Sequence, residues 1–284
     1  MQKSFEIDGP AQIEVRLASG EIVVDPTLDG HIEVELTAHD DESQRLVDDA
    51  RVELSDRQLI VDVPNKRGGF NFGLVFGRQG ITCRIRCPQS SGLSVRSKSA
   101  DLVVRGTIGG LNVATASGDV EADRIEGGLN IKSASGDTRV HEVLGGVNVQ
   151  TASGDIELEI VRGAANITSA SGDLIIGEAY DNVNANTVSG DQNHGAVMRG
   201  SVSAHSVSGD VSIGVRRGSK VYLDCNTVSG DTHSELELST DAPAGDGPLV
   251  EIRAKTVSGD IHITRAPAQD TNTRSSDTVQ EVHA

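Results

Sequence analysis

The sequence predicts an all-β chain wound as a single β-solenoid, of the parallel β-helix or β-roll kind, with about 18 residues in each coil. Three observations carry that prediction. Aspartate returns at Asp101, Asp119, Asp137, Asp155, Asp173 and Asp191, every eighteen residues, and the last five close the words TASGD, SASGD, TASGD, SASGD and TVSGD. In phase with them runs Asn112, Asn130, Asn148, Asn166 and Asn184, so the period does not rest on one motif. Two Tyr, four Phe and no Trp leave little to fill a thick core, whereas 32 Gly among many Val, Ile, Ser and Thr suit a thin core between closely stacked strands.

Residues 1–96 read as a strand-rich N-terminal part. Apolar residues at alternate positions, such as Ile13, Val15 and Leu17, predict two or three strands between residues 4 and 37. Within them LASGE, Leu17 to Glu21, is a degenerate first copy of the repeat word, as expected where a terminal repeat meets solvent on one face. The segment from about 40 to 51, DDESQRLVDDAR with acidic residues first and Leu46, Val47 and Ala50 following, predicts a short helix. VELSD and RQLIVDVP return to strand, with a hairpin turn at Ser55-Asp56-Arg57. The stretch 66–80, KRGGFNFGLVFGRQG, then places Phe70, Phe72 and Phe76 among glycines. It reads either as a cover for the open end of the solenoid or as a loop for contacting a partner.

The solenoid proper spans 97–265. After each repeat aspartate two alternate positions are apolar, as in Ile156 and Leu158 or Leu174 and Ile176, which makes one short strand. A turn follows, commonly at Gly-Gly (Gly109-Gly110, Gly127-Gly128, Gly145-Gly146), where positive φ is the expected use of glycine. A second strand, with Leu129 and Ile131 or Val147 and Val149 turned inward, leads back to the corner. Stacked coils set equivalent side chains about 4.7 to 4.9 Å apart, so the asparagines are expected to form a structural amide ladder. Later intervals lengthen to nineteen residues at Asp210, twenty-one at Asp231 and twenty-nine at Asp260, and the Pro- and Gly-rich excursion from Ser239 to Leu249 is expected to bulge out as a loop. Residues 266–284 lack apolar periodicity and are expected to be a disordered tail.

The corner itself has two readings. Stacked aspartates make a column of like charges that calls for a counter-ion, and calcium is the obvious one. Against it, calcium-binding β-rolls use a nine-residue unit with the same chemistry at both corners, whereas here the other corner is Gly-Gly followed by an apolar strand. Asp119, Asp137, Asp155, Asp173, Asp191, Asp210, Asp231 and Asp260 are therefore expected to be structural corners that hydrogen-bond the turn backbone, with no metal and no cofactor. His233 and His262 each stand two residues after a repeat aspartate and would be outward-facing neighbours if their coils stack directly. Cys83 and Cys87, four apart in a strand, would stand roughly 13 Å apart, beyond disulfide reach, and with Cys225 read as small buried or edge thiols.

A formal net charge of −17 disfavours phosphate backbones and anionic lipid surfaces, so nucleic-acid binding is excluded. Neither a signal-peptide-like apolar stretch nor an apolar run of membrane-spanning length is present, and the expected location is the cytoplasm, with a peripheral position at the membrane also compatible. No nucleophile elbow, Walker loop or H-E-x-x-H occurs, so no catalytic residues are assigned and a non-enzyme is expected.

The serial T-x-S-G-D words, the strand-rich segment with its helix and Gly-Phe loop, and the closing run RGSKVYLDCNTVSGD followed by VEIRAKTVSGDIHITRA together resemble a bacterial β-strand-repeat family of unknown function commonly labelled putative adhesin. The resemblance covers about residues 1 to 266 and implies a β-solenoid without known catalytic residues. It also implies a link to the cell surface or to envelope-stress responses. The expected function is accordingly a non-catalytic binding or scaffold protein that contacts an unknown protein partner at or near the cell envelope. The alternatives are a structural solenoid that self-associates through its ends and a polysaccharide-binding or polysaccharide-acting β-helix.

Overall fold

The computed structural model describes residues 1–64, 80–236 and 247–266. Phe70, Phe72 and Phe76, with residues 66–79 of the expected Gly-Phe loop, lie outside the described residues, as do residues 239–246 of the Ser239 to Leu249 excursion and residues 267–284 of the expected tail. The described chain is all-β with one helix.

The N-terminal part contains β1 (Gln2–Glu6), β2 (Gln12–Asp25), β3 (His31–Ala38), α1 (Asp41–Asp48), β4 (Arg51–Ser55), β5 (Gln58–Asp62) and β6 (Ile81–Arg86). β2 is its pivot: its first half pairs in parallel with β5 and its second half with β6. β1 runs antiparallel to β3, β3 to β6, and β4 to β5 across a turn in which Asp56 takes φ 55°. The expected helix forms because Asp40 caps it, accepting the Ser43 backbone N–H at 2.7 Å and the Ser43 hydroxyl at 2.8 Å. These bonds favour the ionised form and hold the Asp40 carboxyl below its ordinary range. Leu46 and Val47 are buried on the face turned to β3.

The next strand, β7 (Gly92–Ile108), lies along the other edge of β2 and brings the degenerate word LASGE into line with the repeat, Gly20 opposite Ala100 and Glu21 opposite Asp101. From there strands alternate between two parallel ladders: β8 (Gly110–Ala114), β9 (Val120–Ile125), β10 (Leu129–Ser135), β11 (Thr138–Val143), β12 (Val147–Ser153), β13 (Ile156–Val161), β14 (Ala165–Ser171), β15 (Leu174–Ala179), β16 (Val183–Ser189), β17 (Gln192–Val197), β18 (Gly200–Ser208) and β19 (Val211–Val215). Even-numbered strands pair with even and odd with odd, as in Leu129 opposite Val147 and Thr138 opposite Ile156. Between the ladders lies a thin core of Val, Ile, Leu and Ala, with Ile131, Val149 and Leu158 fully buried. Each such Val, Leu or Ile contributes about 1.5–3 kcal/mol by leaving water.

The Gly-Gly corners differ from expectation. Gly109, Gly110, Gly127, Gly128, Gly145 and Gly146 are absent from the positive-φ residues. What requires glycine there is clearance: a Cβ on Gly127 would collide with the Gly109 carbonyl, and one on Gly145 with that of Gly127. The second position of the pair has ordinary space, and Ala164 takes it in a later layer.

The last layers do not stack in chain order. They comprise β20 (Lys220–Ser229), β21 (Thr232–Ser234), β22 (Leu249–Ser258) and β23 (Ile261–Arg265). β22 lies between β18 and β20, and β23 between β19 and β21. The chain therefore leaves one layer open after Val215, builds the outer layer, and returns to fill the gap.

Candidate functional site

The repeated corner is a continuous chain of hydrogen bonds. In each layer the aspartate Oδ1 accepts the backbone N–H of the equivalent aspartate in the next: Asp119 to Asp101 at 3.0 Å, Asp137 to Asp119 at 2.8 Å, Asp155 to Asp137 at 3.0 Å and Asp173 to Asp155 at 2.9 Å. Asp191 and Asp210 continue it, and the chain then follows space rather than sequence, from Asp210 to Asp260 and from Asp260 to Asp231. These bonds run between layers rather than within one turn. Among the described residues no group of three or more His, Cys, Asp or Glu converges as a metal site.

This geometry sets an expected result. Asp155→Asn retains an oxygen acceptor for the Asp173 N–H and should unfold in urea within about 0.5 kcal/mol of the parent. Asp155→Ala removes the acceptor and should lose about 1–2 kcal/mol. Equal damage from both would assign the role to the charge instead.

Register aligns Asn112, Asn130, Asn148, Asn166 and Asn184 in one outward column. The Asn148 amide donates to Asn130 Oδ1 at 3.3 Å and that of Asn184 to Asn166 Oδ1 at 3.5 Å. His233 and His262 are direct neighbours because β21 packs on β23, with ring centroids 6.3 Å apart. Cys83 and Cys87 are buried free thiols, pushed up to about 12 and about 11 by desolvation, and Cys225 is half-buried. Such thiols carry little thiolate at neutral pH and are poor nucleophiles.

Three further features escape a reading of the repeat word alone. Glu142 is buried at the edge of the core, held by Arg124 and by Arg162, whose Nε lies 2.7 Å from Glu142 Oε1. Arg162 also covers the Tyr180 ring at 4.6 Å, and the Tyr180 hydroxyl donates to Glu178 at 2.8 Å. The second feature is a polar break in the apolar column. Gln192 and His194 occupy the places that Leu174 and Ile176 hold one layer earlier, and both are 1 % exposed. The Gln192 amide donates to Thr187 Oγ1 and to the His205 carbonyl, each at 2.9 Å, whereas His194 Nδ1 is buried without a partner. Aligning the sequence at eighteen residues reveals that break, because Gln-x-His stands where apolar-x-apolar is the rule.

The third is an exposed apolar column beside the aspartates. The middle residue of the T-x-S words is alanine at Ala116, Ala134, Ala152 and Ala170 and becomes valine in the last four layers. In spatial order these are Val188, Val207, Val257 and Val228, exposed by 52, 48, 49 and 80 %. The change from TASGD to TVSGD was visible in the sequence; that the four valines form one contiguous ridge depends on the order of the last layers.

No curated protein matches the chain. Among solved structures, a putative adhesin from Bacteroides fragilis is similar over 93% of this chain and 96% of its own, at 15% identity and a TM-score of 0.51. A putative adhesin from Parabacteroides distasonis is similar over 92% and 96%, at 14% identity and a TM-score of 0.44. A protein described as a putative lipid binding protein, from the same organism, is similar over 93% and 96%, at 12% identity and a TM-score of 0.41. The Bacteroides fragilis likeness supports the fold. The Toastrack DUF4097 family matches residues 11–264, nearly the whole repeat and the strands before it from β2 onward, and the chain belongs to that family of bacterial strand-repeat proteins of unknown function.

Proposed function

We propose that this Toastrack protein is a non-catalytic binding or scaffold module whose stacked layers present a fixed ridge to a protein partner at the cell envelope. The observation that carries the reading is the valine column: four β-branched side chains exposed one above another on a backbone that cannot rearrange without breaking the ladder. The neighbouring aspartate column adds negative charge along the same direction. A partner that presents an apolar strip flanked by Lys or Arg would match both. The aspartate corners and the asparagine column, in this reading, hold the layers in register and do not themselves recognise the partner. The description of the similar Bacteroides fragilis protein as a putative adhesin agrees with a binding role.

The test is affinity capture from the source cell with the parent chain and with Val188, Val207 and Val257 changed together to Thr, which keeps the β-branched shape and removes apolar contact. The ridge variant is expected to lose a partner that the parent retains while keeping its circular dichroism spectrum and melting temperature. An unchanged set of captured proteins would sink the assignment of the ridge. A parallel variant, Phe70, Phe72 and Phe76 to Ser, separates a contribution of the 66–80 segment from that of the ridge.

A further inference from the structure

The two ends of the stack are finished differently. At the N-terminal end α1 packs on β3, and Leu46 and Val47 of the helix and Val34 and Leu36 of the strand are all buried. At the other end the outermost strands are β20 and β21, and the lateral partner of β20 among the described residues is β22 alone. Its core-facing side chains Val221, Leu223 and Cys225 are half-buried, whereas their neighbours one layer in, Val250, Ile252 and Ala254, are all 0% exposed. The apolar core therefore runs out to the end of the stack.

The backbone of β20 points the same way. The Lys220 N–H donates to the Pro248 carbonyl at 3.0 Å, which turns Lys220 toward β22. Successive residues of a parallel strand direct their backbone groups to opposite sides, so Val221, Leu223 and Cys225 direct theirs away from β22. Three residues thus combine outward N–H and C=O groups with incompletely covered apolar side chains, which is the signature of an edge that accepts another strand.

We propose that β20 pairs antiparallel with β20 of a second copy of the chain, about a two-fold axis at Leu223, and so closes the two cores against each other. In that register Leu223 faces Leu223 of the second copy and Val221 faces Cys225, so every core-facing position from 221 to 225 meets an apolar or thiol side chain. On the outer side Tyr222, 57% exposed, faces Asp224, and Lys220 faces Asn226. An axis one residue on, at Asp224, would set two carboxylates directly opposite, a destabilising pair. The strand is suited to self-contact in charge as well. It carries one Lys and one Asp, and is therefore neutral within a chain of formal net charge −17. The paired positions, residues 220–226, leave out Val228, the one ridge residue that β20 carries, and the inference stands whether or not the ridge binds a partner.

Sedimentation equilibrium of the full chain under reducing conditions is expected to give a mass approaching twice 29.7 kDa as concentration rises. Leu223→Asp should weaken the dimer by at least about 10-fold, as expected for a central apolar contact. Because Leu223 also packs on its own core, a second variant reads the register directly. Val221→Cys sets a thiol opposite Cys225 of the second copy at the spacing of a hydrogen-bonded antiparallel pair, about 5.5 Å between Cα atoms, which is within disulfide reach. On mild oxidation it should give a covalent dimer that Tyr222→Cys, facing the other side, does not. A monomer at every concentration without Val221→Cys cross-linking overturns the proposal, as do a dimer indifferent to Leu223→Asp and open-ended growth into filaments. A full chain that is monomeric and dimerises once residues 267–284 are removed also overturns it, by assigning the edge to the chain's own tail.

Discussion

Gly172→Ala is expected to be among the most damaging single-methyl changes in the repeat. Gly172 sits at the corner with φ +113°, a conformation that L side chains rarely adopt, and a Cβ there would overlap the Gly154 carbonyl of the layer beneath, only 2.7 Å from its carbon. Backbone strain and forced separation of two layers act together, and the expected loss is about 3 kcal/mol or more. Gly30→Ala separates the two causes, because Gly30 has φ +80° but nothing within 4 Å of the added carbon. It should lose about 1 kcal/mol, from conformation alone. The measurement is the urea midpoint and slope of each variant. Equal losses at the two positions would mean that stacking clearance contributes nothing at the corner.

A second large effect is expected at His194. Burial pushes its imidazole down to about 4 from the ordinary 6.5, because desolvation disfavours the charged ring. The one side chain that its ring meets within hydrogen-bond reach among the described residues, Gln192, is uncharged and offers no compensating charge. The folded state therefore binds fewer protons than the unfolded state between these two values. Above pH 6.5 neither state is protonated and the group contributes no pH dependence. As pH falls from 6.5 toward 4 the unfolded chain takes up the proton first, and stability declines toward a loss of about 3 kcal/mol below pH 4. His194→Leu restores the apolar column between Ile176 and Ile213 and removes an unpartnered buried nitrogen. It should be about 1 kcal/mol more stable at pH 7.5. Its advantage should widen on acidification to pH 4.5, read from urea unfolding at both values. A gap that stays constant with pH would show that His194 is protonated in the fold.

Much of the architecture was legible in the sequence because every layer must solve the same local problem. From Gly136 onward the corner holds a glycine at positive φ, and each corner offers an acceptor for the next layer's N–H, so Ser-Gly-Asp recurs and exposes the period. The inner positions must be apolar, so pairs such as Ile156 and Leu158 mark the strands. The role of the Gly-Gly corners was misread because periodicity reports that glycine is needed without saying whether conformation or clearance requires it. Gly127 lies against the Gly109 carbonyl, and that contact exists once the layers are stacked. Glu142 was indistinguishable from its solvated neighbours, since its burial depends on Arg124 from one layer and Arg162 from another.

By itself, then, the sequence determined that this protein is a stack of short parallel strands with repeated corners, because those constraints are local and identical from layer to layer. The tertiary structure decided the order of the final layers, and with it both candidate surfaces. TVSGD occurs at Asp231 and Asp260 alike, so the corner words cannot say which layer lies inside. The choice falls to side-chain packing across the core. Val250, Ile252 and Ala254 are enclosed between two layers, while β20, with Val221, Leu223 and Cys225 half-covered, lies outermost. That exchange sets Val257 between Val207 and Val228 to complete the ridge, and among the described residues it leaves β20 with one edge unpaired.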